Sequence, residues 1–180
     1  MNERRVIALG FFDGVHIGHG ALLKKTCERA KALGAIPAAM SFDTHPDTLV
    51  FGTSVPLLNT MAERELLMRR LCGMERVIFA HFDEAMMHMP WQVFVEDYLV
   101  RQLHAKHVVC GHDYRFGYRG EGTPQLLQAA GQMTGQQAQK LTELGLFYES
   151  YLSVCKTGRS DPVTRMARLA ETLEQEDYCA

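Results

Sequence analysis

Val6-Ile7-Ala8-Leu9 is an unbroken apolar run, without the alternation of a half-exposed strand. Such a run predicts a strand of a parallel sheet, covered on both faces. Gly10 ends it. From Ile17 the apolar spacing turns helical, through Ala21, Leu22 and Leu23, and predicts a helix over Ile17 to Leu33 with Gly34 as its C′ residue. Ile36 to Phe42 reads as a second buried strand. Asp47 to Leu58 reads as an irregular, apolar loop holding Phe51 and Pro56. Thr60, with Glu63 three residues on, is the pattern of a capping box and opens a helix that runs to about Leu71 and stops at Gly73.

The second half repeats the theme. Val77 to Phe79 is a short strand. Met86, Met87 and Met89 read as core filling. Pro90 suits the first turn of a helix with Val93, Phe94, Tyr98, Leu99 and Leu103 on one face. His107 to Gly111 is a further buried strand, and Thr123 to Gln128 starts another helix. The stretch from Gly131 to Lys140 is Gln-rich, Leu144 to Val154 reads as the last strand region, and 161–180 reads as a polar helix and tail. Strands alternating with helices at this spacing predict an α/β fold: a Rossmann-like open parallel sheet with helices on both faces.

Composition changes this picture little. A chain of 180 residues suits one domain spanning 1–180, and 47% hydrophobic with 22% charged residues is ordinary for a globular protein. A net charge of −2 points away from nucleic acid and from a polybasic membrane anchor. No apolar run reaches the ~18–20 residues of a membrane span, and no secretory signal is expected before the first strand. Five scattered cysteines form no C-x-x-C pair, so free thiols in a reducing cytoplasm are expected.

The chemistry concentrates where the first strand meets the first helix. A helix N-terminus carries free N–H groups and the positive end of the dipole, and so attracts phosphate. Gly10 and Gly18 allow close approach of backbone and ligand. His16 and His19 are three apart, so both can face one anion and donate to it as charge builds in a transition state. A loop whose histidines are merely polar is the alternative; the strand before and the helix after favour the phosphate site. A second Gly-rich run, Gly111 to Gly122, holds four glycines, three aromatics and two arginines just past a strand's carboxyl end, where open parallel sheets bind ligands.

Gly10-Phe11-Phe12-Asp13-Gly14-Val15-His16-Ile17-Gly18-His19 resembles the nucleotidyltransferase signature G-x-F-D-x-x-H-x-G-H, in the form carried by the FMN adenylyltransferase domain of bacterial FAD synthetase. Phe42-Asp43-Thr44-His45-Pro46 resembles that family's F-D-P-H-P segment, with Thr44 for the first proline. Val108 to Gly120 is similar to its V-V-G-x-[ND]-F-x-F-G run, with Tyr114 for phenylalanine. The resemblance covers about residues 5–128 well and 144–168 loosely. It implies the nucleotidylyltransferase (HUP-type) variant of the fold and adenylyl transfer from ATP to FMN, giving FAD and pyrophosphate, with Mg²⁺ accompanying the triphosphate. It implies catalytic roles for His16 and His19 on the ATP phosphates, and for Asp13 in orienting the loop or helping to hold Mg²⁺. It implies binding roles for Gly10, Phe11, Phe12, Gly18 and Asp43, for His45, Pro46 and Phe51 near the isoalloxazine, and for Gly111, Asp113, Arg115 and Phe116 along the nucleotide or flavin crevice, with adenine near this second Gly-rich loop.

Two departures stand beside it. Where the family carries a V-S-S-T-x-I-R type motif, this chain has Pro162 and Val163 in the places of the serines, leaving Thr164, Arg165 and Arg168 as phosphate candidates. Pro162 also lacks a backbone N–H. Nothing after Arg168 reads as the riboflavin kinase barrel of bifunctional members. The alternatives are therefore a weak or inactive nucleotide- or flavin-binding protein of the same fold, and an adenylyltransferase acting on another phosphorylated substrate.

Overall fold

The computed structural model describes residues 3–133, and these form a four-stranded, wholly parallel sheet. In chain order the elements are β1 (Arg5–Leu9), α1 (Ile17–Leu33), β2 (Ile36–Phe42), α2 (Pro46–Phe51), α3 (Met61–Cys72), β3 (Arg76–Ala80), α4 (Glu84–Met87), α5 (Trp91–Val93), a π-helical segment continuing α5 (Phe94–Gln102), β4 (Ala105–Cys110) and α6 (Pro124–Met133). Short 3₁₀ turns lie at Asp13–Val15 and Tyr118–Gly120. The strand order is β3-β2-β1-β4. Leu9 sits opposite Met40 of β2 and Cys110 of β4, and Phe42 opposite Ala80 of β3.

The β1 run explains the layering. Its residues alternate between faces even though all are buried. Val6 and Ala8 join Leu22, Leu23, Ala30 and Met68 in the core beneath α1 and α3. Ile7 and Leu9 join Phe94, Leu99, Phe116 and Leu127 in the core beneath the π-helical segment and α6. Helices therefore cover both faces, as the apolar pattern requires.

The local expectations meet the structure closely in the first half. The α1 boundaries are those predicted, with Gly34 left-handed at φ 56° closing the helix. Thr60 and Glu63 form the reciprocal capping box, and Gly73 ends α3. Two expectations are corrected. The stretch after Asp47 is not wholly irregular: Pro46–Phe51 winds into a short helix, because the His45 ring nitrogen accepts the Asp47 N–H and Pro46 presets the first turn. On the next helix the expected face holds at Phe94, Tyr98, Leu99 and Leu103 and is corrected at Val93. Between Phe94 and Gln102 the chain bonds at the wider i→i+5 spacing, as where Leu103 N–H donates to Tyr98 O. That winding turns Phe94, Val95 and Leu99 inward and leaves Val93 39% exposed. The methionines divide: Met86 and Met89 pack against the core, while Met86 and Met87 also line the cavity described below.

Of the polar 131–140 segment, Gly131 to Met133 complete α6; 134–140, the expected strand region 144–154 and the expected helix and tail 161–180 lie outside the described residues. Among the described residues no helix is long and apolar enough to cross a membrane, and Cys27, Cys72 and Cys110 are free thiols. Replacement of Thr60 by Ala removes a cap that serves the Glu63 N–H and is expected to cost about 1 kcal/mol. A lower urea midpoint with an unchanged slope is the readout.

Candidate active site

Every strand of a parallel sheet delivers its carboxyl end to the same edge, and here all four contribute. The chain goes from β1 outward to β2 and β3, then crosses back to β4 on the other side of β1. Ligands of open parallel sheets bind at such a reversal. A cavity of about 870 Å³ opens there, within the size range of small-molecule sites. Phe11 lines it from the loop after β1, Phe42, His45 and Pro46 from the end of β2, Phe82 from beyond β3, and Asp113, Arg115, Phe116 and Arg119 from beyond β4.

The loop after β1 splits its two phenylalanines. Phe11 turns toward the cavity, its ring 4.6 Å from that of His45. Phe12 turns the other way into the core at 1% exposure, so it supports the site and does not line it. This reversal needs left-handed backbone: φ is 59° at Phe12, 69° at Gly14 and 35° at Val15. Such backbone at a β-branched residue is strained and persists only where packing enforces it. Buried Phe12 and Val15 provide that packing. Gly10 is the residue the Phe12 ring requires, since a Cβ there would stand 2.9 Å from it.

Asp13 takes the loop-orienting role. Its two carboxylate oxygens accept the N–H groups of Leu58 at 2.8 Å and Asn59 at 3.0 Å, tying this loop to the start of α3. Gly14 is left-handed, and a Cβ there would meet the Leu58 side chain at 2.8 Å. Both Asp13 oxygens are thereby engaged. Among the described residues no group of three His, Cys, Asp or Glu side chains could hold a metal ion.

His16 is the N-cap of α1. Its Nδ1 accepts the His19 N–H, which leaves Nε2 to carry the proton of the neutral ring. The two imidazoles stack, with ring centroids 3.6 Å apart, and His19 meets the Phe12 ring edge-on at 5.3 Å. Burial lowers the His16 pKa. Burial, and then the neighbouring His16, pull His19 down to about 4 against an upward pull from Asp13. Both shifts favour the neutral ring at pH 7. His19 Nδ1 is buried without a hydrogen-bond partner. Gly18 is buried in the first turn of α1.

Asp43 is not among the residues that line the cavity. Burial raises its carboxyl, but hydrogen bonds from the His81 ring and from the N–H groups of Phe82 and Thr44 outweigh this and hold it below its ordinary value. The His81 contact is 2.6 Å, and it raises the His81 pKa in turn. Asp43 thus positions Phe82, whose ring lines the cavity. Phe51 is 69% exposed and outside the lining; Val50 reaches the cavity from α2 in its place. Gly111 is likewise outside the lining and ends β4. Thr164, Arg165, Arg168, Pro162 and Val163 lie outside the described residues.

Sequence reasoning counted Arg119 and Tyr114 among the two arginines and three aromatics of the Gly-rich run without singling them out, and it missed Arg64 and Ser41. Arg119 lines the cavity over the Tyr118 ring, and among the described residues neither it nor Arg115 is held in an ion pair. Tyr114 lines the cavity and stacks on Phe116, with ring centroids 6.0 Å apart. Arg64 and Ser41, both fully buried, bond the Phe11 carbonyl from beneath. The one signal for Arg64 was its place four residues before Met68, on the inward stripe of α3.

The FAD synthetase family model matches residues 1–152. The chain is 38% identical over 120 residues to the bifunctional riboflavin kinase/FMN adenylyltransferase of Listeria monocytogenes, covering 66% of this chain and 38% of that protein. It is 35% identical over 133 residues to the Escherichia coli protein of the same description, covering 74% and 42%. It is 34% identical over 123 residues to a putative one from Geobacillus thermodenitrificans, covering 68% and 66%. The chain thus spans about two fifths of the first two relatives. Among solved structures it is similar to one titled a macrolide-efflux protein from Streptococcus pneumoniae, with a TM-score of 0.63 and 26% identity over 72% of this chain and 43% of that one.

The neutral His19 has a consequence for stability. With its pKa at about 4 in the folded state against the ordinary 6.5, the unfolded chain binds the extra proton between those values. Stability is complete above about pH 6.5 and falls as pH drops toward 4, by roughly 2 kcal/mol between pH 7 and pH 5. His19→Gln is expected to flatten that part of the profile, read as a smaller shift of urea midpoint between pH 7 and 5 than in the parent chain.

Proposed function

The chain belongs to the FAD synthetase family, and from that premise we propose that it transfers the adenylyl group of ATP to FMN, yielding FAD and pyrophosphate. The observation that carries the reading is an adjacency. A helix N-terminus with two imidazoles lies beside an aromatic cavity that two arginines line, and Phe11-Phe12 spans both, one ring in each. The first suits a triphosphate. The second suits a flat ring system bearing a phosphate, since aromatic and methionine side chains wall the ring and guanidinium groups bind the phosphate bidentately.

The reaction is an in-line displacement. An oxygen of the FMN phosphate forms a bond to the α-phosphorus of ATP as the bond to the bridging oxygen of the β-phosphate breaks, and pyrophosphate leaves with that electron pair. No covalent enzyme intermediate is required. The free N–H groups of the first turn of α1 and the Nε2–H of His16 donate to the triphosphate. His19, the more buried imidazole, serves the transferred group, and anion binding raises the pKa of both rings. Preorganised donors of this kind stabilise charge where it develops. Arg115 and Arg119 hold the FMN phosphate, and Phe11, Phe42, Phe82 and Met86 wall the isoalloxazine. Mg²⁺ accompanying the nucleotide would offset the triphosphate charge, with Asp13, whose oxygens also accept the Leu58 and Asn59 N–H groups, the carboxylate nearest the imidazoles in sequence. ATP supply places the protein in the cytoplasm.

Pro162 and Val163, standing where the family has serines, favour a second reading: a protein that binds nucleotide or flavin with little or no transfer. The full chain incubated with ATP, Mg²⁺ and FMN separates the readings. FAD on chromatography is the expected outcome, and His19→Ala is expected to lower kcat by about 10²–10³. ATP binding without FAD supports the second reading, and turnover only with another phosphate ester supports a different acceptor.

A further inference from the structure

Arg64 heads the largest side chains that the fold removes wholly from solvent. It lies in the first turns of α3, and the only other buried residue of that helix is Met68. A buried guanidinium is ordinarily matched by a carboxylate, because an uncompensated charge in a core is costly. Among the described residues no carboxylate lies within ion-pair distance of this one. The nearest, Asp13 and Asp43, act on it only through space. Each is already bonded elsewhere: Asp13 to Leu58 and Asn59, Asp43 to His81 and Phe82.

Its acceptors are main-chain carbonyls and one hydroxyl. Arg64 Nη1 donates to Phe11 O at 2.9 Å and to Ser41 Oγ at 2.9 Å, and Nη2 donates to Phe42 O at 3.1 Å. Ser41 Oγ itself donates to Phe11 O at 2.6 Å. The guanidinium lies 4.3 Å from the Phe11 ring centroid and 5.1 Å from that of Phe79. One planar cation therefore joins the residues at which β1 and β2 give way to the loops of the site. The Phe11 carbonyl leads into Asp13, His16 and His19. The Phe42 carbonyl leads into His45 and Pro46. Phe11 and Phe42 are themselves walls of the cavity.

An apolar side chain of similar size would fill this space without the cost of burying a charge. What it could not supply is the rigid fork that sets two carbonyls at a fixed separation. We propose that Arg64 is a positioning residue for adenylyl transfer: it fixes the spacing between the loop that carries the imidazoles and the loop that borders the cavity, so that the acceptor phosphate and the α-phosphorus meet in line. This rests on the adenylyltransferase reading above. The scale of the effect follows from geometry, since a misplacement of about 1 Å costs on the order of 10² in rate.

The test compares the full 180-residue chain with Arg64→Lys and Arg64→Met, each assayed at a temperature where circular dichroism and size-exclusion elution match the parent. Lysine keeps the charge but not the fork. It is expected to lower kcat by roughly 10–100-fold with the KM values for ATP and FMN within about threefold, and Met is expected to lower kcat further. Wild-type kcat in Arg64→Lys, whatever its Tm, overturns the inference, as does a rise in KM at unchanged kcat. If neither variant folds, Ser41→Ala decides. It removes the hydroxyl between the guanidinium and Phe11 O, and kcat reduced by about 3–10-fold at unchanged KM supports the inference, whereas wild-type kcat overturns it. A parent chain that forms no FAD overturns the adenylyltransferase reading, and this inference with it; a working parent matched by its Arg64 variants overturns this inference alone.

Discussion

A parallel sheet presents the carbonyl groups of all its strand ends at one edge, and those that are buried must find donors there. In this chain the ends of the two central strands are partly buried. The donor is the Arg64 guanidinium, reaching up from α3 to Phe11 O and Phe42 O with Ser41 as intermediary. Much of the site follows from that satisfaction. With its carbonyl held from below, Phe11 turns its ring to the cavity and Phe12 its own to the core. The left-handed backbone that follows carries the chain to the N-cap of α1.

The electrostatics of this edge are positive without being cationic at the imidazoles. Burial lowers the pKa of His16, and burial together with the neighbouring His16 lowers that of His19, while the fixed charge comes from Arg64 beneath, Arg115 and Arg119 at the cavity, and the free N–H groups of α1. A site of this kind does not rely on two adjacent cations that would repel each other before a ligand binds. It offers preset donors at the helix N-terminus and at the guanidinium groups. The carboxylates nearby have structural work: Asp13 ties the signature loop to α3, and Asp43 places Phe82. That division leaves both carboxylates bonded within the fold.

The second half of the cavity rests on close backbone contact. Gly117 is left-handed, and a Cβ there would fall 2.6 Å from the Trp91 backbone, so the loop after β4 lies directly against the start of α5. The Tyr118 N–H donates to Met89 O at 2.7 Å and closes the same junction. The wider winding that follows turns Phe94 beneath the cavity. Aromatic walls are thus supplied by segments far apart in the chain and brought together by the crossing of the chain from β3 to β4.

What the residues determined alone were features with local causes. The β1 run, the bounds of α1, the capping box of α3, the pairing of His16 with His19 and the Gly-rich run after β4 each arise from contacts within a few positions, so spacing and residue type suffice to read them. The two-faced parallel sheet was legible for the same reason, as strands and helices alternate in simple order. The tertiary structure alone decided which of two adjacent phenylalanines is core and which is wall, why Phe51 stands in solvent while Val50 reaches the cavity, how the helix after Pro90 winds, and that the histidines are uncharged. The clearest case is Arg64, which by type belongs at the surface and is buried because two distant carbonyls and a serine hydroxyl await it there.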